Sequence, residues 1–197
     1  MVSDSVELKQ FSVGDWDNNV YILVDRATGA SVLFDAPTDA LQILEALQGT
    51  GLKYILMTHA DGDHVGALDE IRAATGAPVG AHAREADRMP SPPDFQLHDG
   101  DEISFGSSTL KVIETPGHSP GGVSFLIDDI LIAGDTLFPG GPGNTKRPDG
   151  SFDAIINSLQ TKLFVLPDET KVYPGHGGST TIGAERPHLQ EWINRGW

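Results

Sequence analysis

The chain has no cysteine among its 197 residues. That removes disulfides, thiolate nucleophiles and thiolate metal ligands, so any metal must be held by His, Asp or Glu. Basic residues are also scarce: 13 Lys and Arg stand against 28 Asp and Glu, a formal net charge of −15. Nucleic acid and anionic membrane both require a basic footprint, so neither is an expected partner. A small anionic molecule is not excluded, because it responds to local charge and to a metal. Long apolar runs are missing too. None approaches the ~20 residues of a membrane-spanning helix. Met1–Glu7 shows neither a basic nor an apolar targeting region, so a cytoplasmic location is the expectation. No linker, low-complexity tract or repeat divides the chain. Its length suits one domain, 1–197, with a sizeable core, and 39% apolar with 21% charged residues is the balance of a globular protein. No feature of the pattern sets an oligomeric state.

Periodicity supplies the elements. Val6–Val13, Asn19–Asp25 and Ala30–Phe34 read as strands of a meander. Ala40–Leu47, preceded by Thr38-Asp39 as a cap, reads as a helix. Lys53–Met57 reads as a buried strand, Val65–Ala74 as a helix stopped by Gly76, Pro78–Ala81 as a strand and Ala83–Arg88 as a short helix. In the second half, Glu102–Phe105, Thr109–Glu114, Gly122–Ile127, Ile130–Ala133 and Lys171–Tyr173 read as strands. Phe152–Phe164 and Ala184–Arg195 read as helices, and Phe138–Gly150, rich in Gly and Pro, as a loop. Strands then helix, twice over, predict an α/β fold: a four-layer αββα sandwich of two sheets with helices outside.

The chemistry concentrates in Thr58-His59-Ala60-Asp61-Gly62-Asp63-His64, directly after an apolar run. Three further ligand-type residues each follow a strand and sit beside glycine: His118 in Thr115-Pro116-Gly117-His118, Asp135 in Ala133-Gly134-Asp135, and His176 in Pro174-Gly175-His176-Gly177. A divalent metal that keeps an open coordination position takes about three imidazole or carboxylate ligands. The tight turn at 59–64 lets its side chains diverge toward two neighbouring metals. Taken singly, Asp61 or Asp63 could be a helix cap and each His an ordinary polar residue. Four strand ends carrying such residues together point to a metal centre.

The residues His59-x-Asp61-x-Asp63-His64, Pro116-Gly117-His118-Ser119-Pro120-Gly121, Gly134-Asp135-Thr136-Leu137-Phe138 and Pro174-Gly175-His176-Gly177 resemble the metallo-β-lactamase superfamily, in order and over the whole chain. The Gly-Asp-Thr-Leu-Phe and Pro-Gly-His-Gly elements are similar to glyoxalase II-like thioesterases. The resemblance implies two divalent metal ions: zinc first, with iron or manganese as alternatives. His59 and His118 would hold one metal, Asp63, His64 and His176 the other, and Asp135 would bridge them. The family pattern has histidine at position 61. Asp61 is shorter and adds a negative charge, which shifts the first site toward harder metals if Asp61 ligates, or leaves a gap for water if it does not.

The implied activity is a metallo-hydrolase acting on a thioester, ester or lactone through a metal-activated hydroxide. Asp63 and Asp135 would be the catalytic carboxylates that orient the hydroxide or take its proton. The alternatives are a mono-iron persulfide dioxygenase using His59, His118 and Asp135, a β-lactamase-like activity, and a catalytically altered metal-binding module. Lys146-Arg147, the only adjacent basic pair, lies in the loop after Asp135 and is a candidate for a substrate carboxylate. Thr58, Thr136 and Thr180 are candidate supports for the imidazoles. His82, His98 and His188 read as ordinary polar histidines, and Trp16, Trp192 and Trp197 as core or edge packing, although Asp15 and Trp16 lie in the loop between the first two strands, which in the resembled superfamily can reach over the site.

Overall fold

In the computed structural model, which describes residues 5–196, two six-stranded sheets face each other. The first runs β1 (Val6–Val13), β2 (Asn18–Asp25), β3 (Ala30–Phe34), β4 (Gly51–Leu56), β5 (Val79–His82), β6 (Phe95–Leu97), in that spatial order. β1 to β3 form an antiparallel meander; β3 to β6 are parallel, joined by crossovers that carry α1 (Ala40–Leu47) and then α2 (Gly62–Val65) with α3 (Leu68–Thr75). In the second sheet, β7 (Glu102–Phe105), β8 (Ser108–Glu114), β9 (Val123–Ile127) and β10 (Ile130–Gly134) are antiparallel. A small β11 (Leu137–Phe138)/β12 (Gly141–Pro142) pair and α4 (Phe152–Ser158) lead to β13 (Lys171–Pro174), parallel to β10. β14 (Thr180–Thr181), α5 (Ile182–Glu185) and α6 (Leu189–Arg195) complete the chain.

The layering follows from strand alternation. On β2, Val20 and Ile22 face a core shared with Ile43 and Leu47 of α1 and Leu68 and Ile71 of α3. Tyr21 and Leu23 face the second sheet, meeting Phe125 and Ile132. On β10, Ile130 and Ile132 join that central core, while Leu131 and Ala133 turn outward to Leu159, Leu163 and Trp192. Strands buried on both faces read as near-continuous apolar runs. Each fully buried Leu, Ile or Phe adds roughly 1.5–3 kcal/mol of transfer free energy, so the sheets form a rigid base for the loops at their ends. The predicted αββα sandwich is the fold observed.

Several boundaries move for identifiable reasons. The helix expected over Val65–Ala74 is broken into α2 and α3, and Gly66 sits so close to Pro37 that a side chain there would clash with its carbonyl. Asp39 precedes α1 in the left-handed region without a side-chain cap. Ala83–Arg88 is a 3-10 turn, the helix after Phe152 loosens into a π-helical turn at Leu159–Leu163, and Ala184–Arg195 is interrupted at Pro187. β6 was absent from the sequence reading. Trp197 lies outside the described residues. Among those described, no helix is long and apolar enough to cross a membrane.

Candidate metal centre

The ligand-type residues lie at the strand ends along one edge where the sheets meet. His59, Asp61, Asp63 and His64 follow β4, His118 follows β8, Asp135 follows β10 and His176 follows β13. Backbone hydrogen bonds tie this edge together: Asn19 N–H to Gly175 O at 2.7 Å, Gly175 N–H to Gly134 O at 3.0 Å, and Val123 N–H to Thr58 O at 2.9 Å. The His176 loop is held further by Asn19, which donates to Pro174 O and Gly177 O, and by the Tyr21 hydroxyl, which donates to Pro174 O at 2.7 Å. Two glycines are required by space. A Cβ on Gly175 would lie 2.2 Å from Asp135 Oδ1 and 2.7 Å from His64 Cε1, and one on Gly134, at φ +50°, would lie 2.6 Å from Thr58 Cβ.

Each of the four imidazoles commits Nδ1 to an outer partner, which fixes its tautomer. His118 Nδ1 donates to Asn144 O at 2.8 Å and His176 Nδ1 to Trp16 O at 2.9 Å, because a carbonyl can only accept. His64 Nδ1 donates to Asp35 Oδ2 at 2.9 Å. The Thr58 hydroxyl donates to Asp35 Oδ2 at 2.7 Å, so its oxygen accepts from His59 Nδ1 at 3.0 Å. All four Nε2 atoms therefore point inward, where each offers a lone pair to a metal once its proton is displaced. His64 Nε2 and His176 Nε2 face each other at 3.3 Å; two lone pairs this close need a positive charge between them, a metal ion or, in the metal-free protein, a proton carried by His64. His59 Nε2 and Asp135 Oδ1 are buried and make no hydrogen bond, which is costly unless a ligand fills the gap. Three sets of ligand-type atoms each lie within 4.8 Å: His59, Asp61 and His118; Asp63, His64 and His176; and, behind them, Asp35, His59 and His64, where Asp35 already accepts from His64 Nδ1. Asp135 stands between the first two, its Oδ2 3.6 Å from both His118 Nε2 and His176 Nε2 and its Oδ1 3.5 Å from His64 Nε2.

Electrostatics agree with a site built for positive charge. The Asp63 carboxyl is held below the usual carboxylate range by His176, with Asn18 Nδ2 donating at 2.9 Å, against the opposing effect of burial. Burial works against a charged His64, but Asp35, Asp135 and Asp63 outweigh it and push its pKa up to about 9. Asp61 is also held well below its usual range: burial alone would raise it, but His118, His59 and Arg147 dominate.

Not every candidate joins the centre. Thr58 supports His59, whereas the Thr136 hydroxyl donates to Thr115 and that of Thr180 to Glu185. His82 accepts from Arg84 N–H and pairs with Glu114, while His98 and His188 are exposed. Lys146 is exposed, its backbone N–H on Asn144 Oδ1, and Arg147 is turned onto Asp61. Trp192 is core as expected, but Trp16 is 70% exposed, which corrects its reading as packing. With Asp15, Pro37 and Thr38 it lines an open pocket of about 350 Å³ that reaches Asp63. Sequence reading missed Asp35, Asn18, Glu85 and Arg88. Asp35 stands at a strand end with φ +56°, a strained position of the kind found at functional sites, but nothing in its local sequence marks it.

The profile of the metallo-beta-lactamase superfamily matches residues 13–176. The chain belongs to that superfamily. It is 33% identical over 199 residues to a probable metallo-hydrolase, YqgX, of Bacillus subtilis, covering 90% of this chain and 93% of that one. It is 41% identical over 164 residues to a hydroxyacylglutathione hydrolase of Cereibacter sphaeroides, covering 81% of this chain but 62% of that enzyme's length. Among solved structures, the BLEG-1 B3 metallo-beta-lactamase superposes with a TM-score of 0.87 at 32% identity, covering 93% of this chain and 98% of that one. Superfamily membership and the His/Asp cluster together indicate divalent metal binding.

Proposed function

We propose that this chain is a metal-dependent hydrolase of a small-molecule thioester, ester or lactone. One observation carries the reading: four imidazole Nε2 atoms, each with its tautomer fixed from behind, converge on the carboxylates of Asp63 and Asp135. The likeness to a hydroxyacylglutathione hydrolase and to a probable metallo-hydrolase supports hydrolysis. Zinc suits a mixed nitrogen and oxygen set; the carboxylates of Asp63 and Asp135 make iron and manganese compatible as well. When bound, such a metal supplies a Lewis acid and lowers the pKa of water.

The chain's own residues do the rest. Asp63, kept ionised by His176 and Asn18, serves as an anionic anchor and orients water rather than storing a proton. Asp135 presents a buried, unpartnered Oδ1 and is placed to hold a water proton between the two sets. Asn18 fixes Asp63 through both its carboxylate and its carbonyl, at 2.9 and 3.1 Å. The pocket at Trp16, Pro37 and Thr38 offers the acyl group an apolar wall beside Asp63. The test is turnover of a panel of thioesters, esters and lactones by protein stripped with chelator and then reloaded with zinc, iron or manganese. Hydrolysis restored by metal supports the proposal. Oxygen consumption with a persulfide and no hydrolysis would replace it with the dioxygenase reading.

A further inference from the structure

The first ligand set already contains a cation. Arg147 grips Asp61 with both terminal nitrogens, Nη1 on Oδ2 and Nη2 on Oδ1 at 2.7 Å, the two-pronged geometry in which a guanidinium fits a carboxylate. Arg147 Nη1 also lies 3.0 Å from His118 Nε2. With Nδ1 donating to Asn144 O, a neutral His118 accepts from Arg147 at Nε2, which also lies 3.1 Å from Asp61 Oδ2. Two of the three atoms that would hold a metal in this set are thus occupied by one guanidinium. The third, His59 Nε2, is buried, makes no hydrogen bond and lies 3.7 Å from Asp61 Oδ2, and one imidazole with the shared carboxylate of Asp135 falls short of the about three protein ligands a divalent ion takes.

Arg147 is itself built in. Asp149 accepts from its Nε at 2.8 Å. Arg88 donates to Asp61 from the other side and pairs with Asp149 at 3.2 Å and with Glu85 at 3.0 Å. Glu85, 1% exposed, is fixed by Ala60 N–H at 3.0 Å and Gly121 N–H at 2.7 Å. A neutral histidine at position 61 could accept one hydrogen bond but could not form the two-pronged ion pair that holds the guanidinium on Asp61. Asp61 and the two arginines therefore form one device. In the second set, among the described residues, Asp63, His64 and His176 form no hydrogen bond or ion pair with Lys or Arg.

We propose that the Arg147 guanidinium takes the place of the first metal, so that the centre holds one divalent ion tightly, at Asp63, His64 and His176 with Asp135. The inference rests on the centre being a metal site. The test is a zinc titration of the stripped full-length protein, with stoichiometry read by native mass spectrometry and elemental analysis and cobalt(II) absorption as an independent readout. Wild type should take one tight equivalent, with the second at least ~100-fold weaker, as expected for a fixed positive charge within a few ångströms. Arg147→Met should bring the second equivalent to within about tenfold of the first, the ~100-fold penalty being largely lifted, while Arg147→Lys should keep a single tight one. If Arg147→Met proves unfolded by circular dichroism, Asp61→His in the same titration should show the second equivalent. Two equal equivalents in wild type, or a single one in Arg147→Met and in Asp61→His, overturn the inference and leave the metal centre standing. No bound metal in wild type overturns both.

Discussion

Asp35 shows how much of the centre depends on a residue that touches no metal. Its Oδ1 accepts from Thr58 N–H at 2.7 Å; its Oδ2 accepts from the Thr58 hydroxyl at 2.7 Å and from His64 Nδ1 at 2.9 Å. The substitution Asp35→Asn removes the charge and turns one oxygen into a donor, while asparagine tolerates the left-handed backbone at φ +56° as well as aspartate does. The new amide will face Thr58 N–H, since the other oxygen serves two donors. One buried donor is then unmet, at about 1–3 kcal/mol. The remaining oxygen still accepts from the Thr58 hydroxyl and from His64 Nδ1, but without the charge, so the backing of the His59 and His64 rings weakens together; outright loss of such a support costs 10–100-fold in metal affinity, and this weakening should cost about tenfold, about 1.4 kcal/mol. The assay is competition for zinc against a coloured chelator, alongside denaturant unfolding of metal-free protein. Metal affinity within threefold of wild type, in a folded Asp35→Asn protein, would refute the inference that Asp35 sets the ligand geometry.

Gly175→Ala should fold but bind metal at least ~10²-fold more weakly, because its Cβ collides with Asp135 Oδ1 and His64 Cε1 and ligand geometry tolerates displacements of only about half an ångström; isothermal titration checks this. Asp25, 0% exposed, accepts from Ser108, Ser107 and Thr28, which hold its pKa below the usual range. A depressed folded-state pKa contributes stability that is present above the unfolded value, about 3.9, and is lost as pH falls. Asp25→Asn should therefore lower the denaturation midpoint at neutral pH and shrink its fall between about pH 5 and pH 3; equal acid sensitivity in both proteins would count against this. Trp192→Ala removes a side chain 1% exposed in the outer core and should cost about 3–5 kcal/mol while leaving metal stoichiometry unchanged, as read by unfolding and elemental analysis.

The sequence displayed the layers because strands buried on both faces and amphipathic helices carry the 2 and 3.6 periods in their own residues. It displayed the candidate ligands because each stands beside a glycine at a strand end. What it hid was pairwise. Asp35 and His64 are 29 positions apart, and Asp61 and Arg147 are 86 apart. Arg147 was legible as a cation near the centre but pointed toward substrate; only the fold shows it turned onto Asp61. Arg88 and Glu85 looked like the surface of a short helix, yet Glu85 is buried beneath the turn that carries Asp61. Trp16 looked like packing because large aromatics usually are, and its exposure depends on where the β1–β2 loop is held.

Anomalous diffraction from crystals of the metal-loaded protein, collected above and below the metal edge, addresses the metal centre most directly. A peak at about 2.0–2.2 Å from His64 Nε2, His176 Nε2 and an Asp63 oxygen, with Asp135 beside it, is the predicted result. Crystals of catalytically active protein with no peak among these residues would contradict the metal centre, and with it the hydrolase.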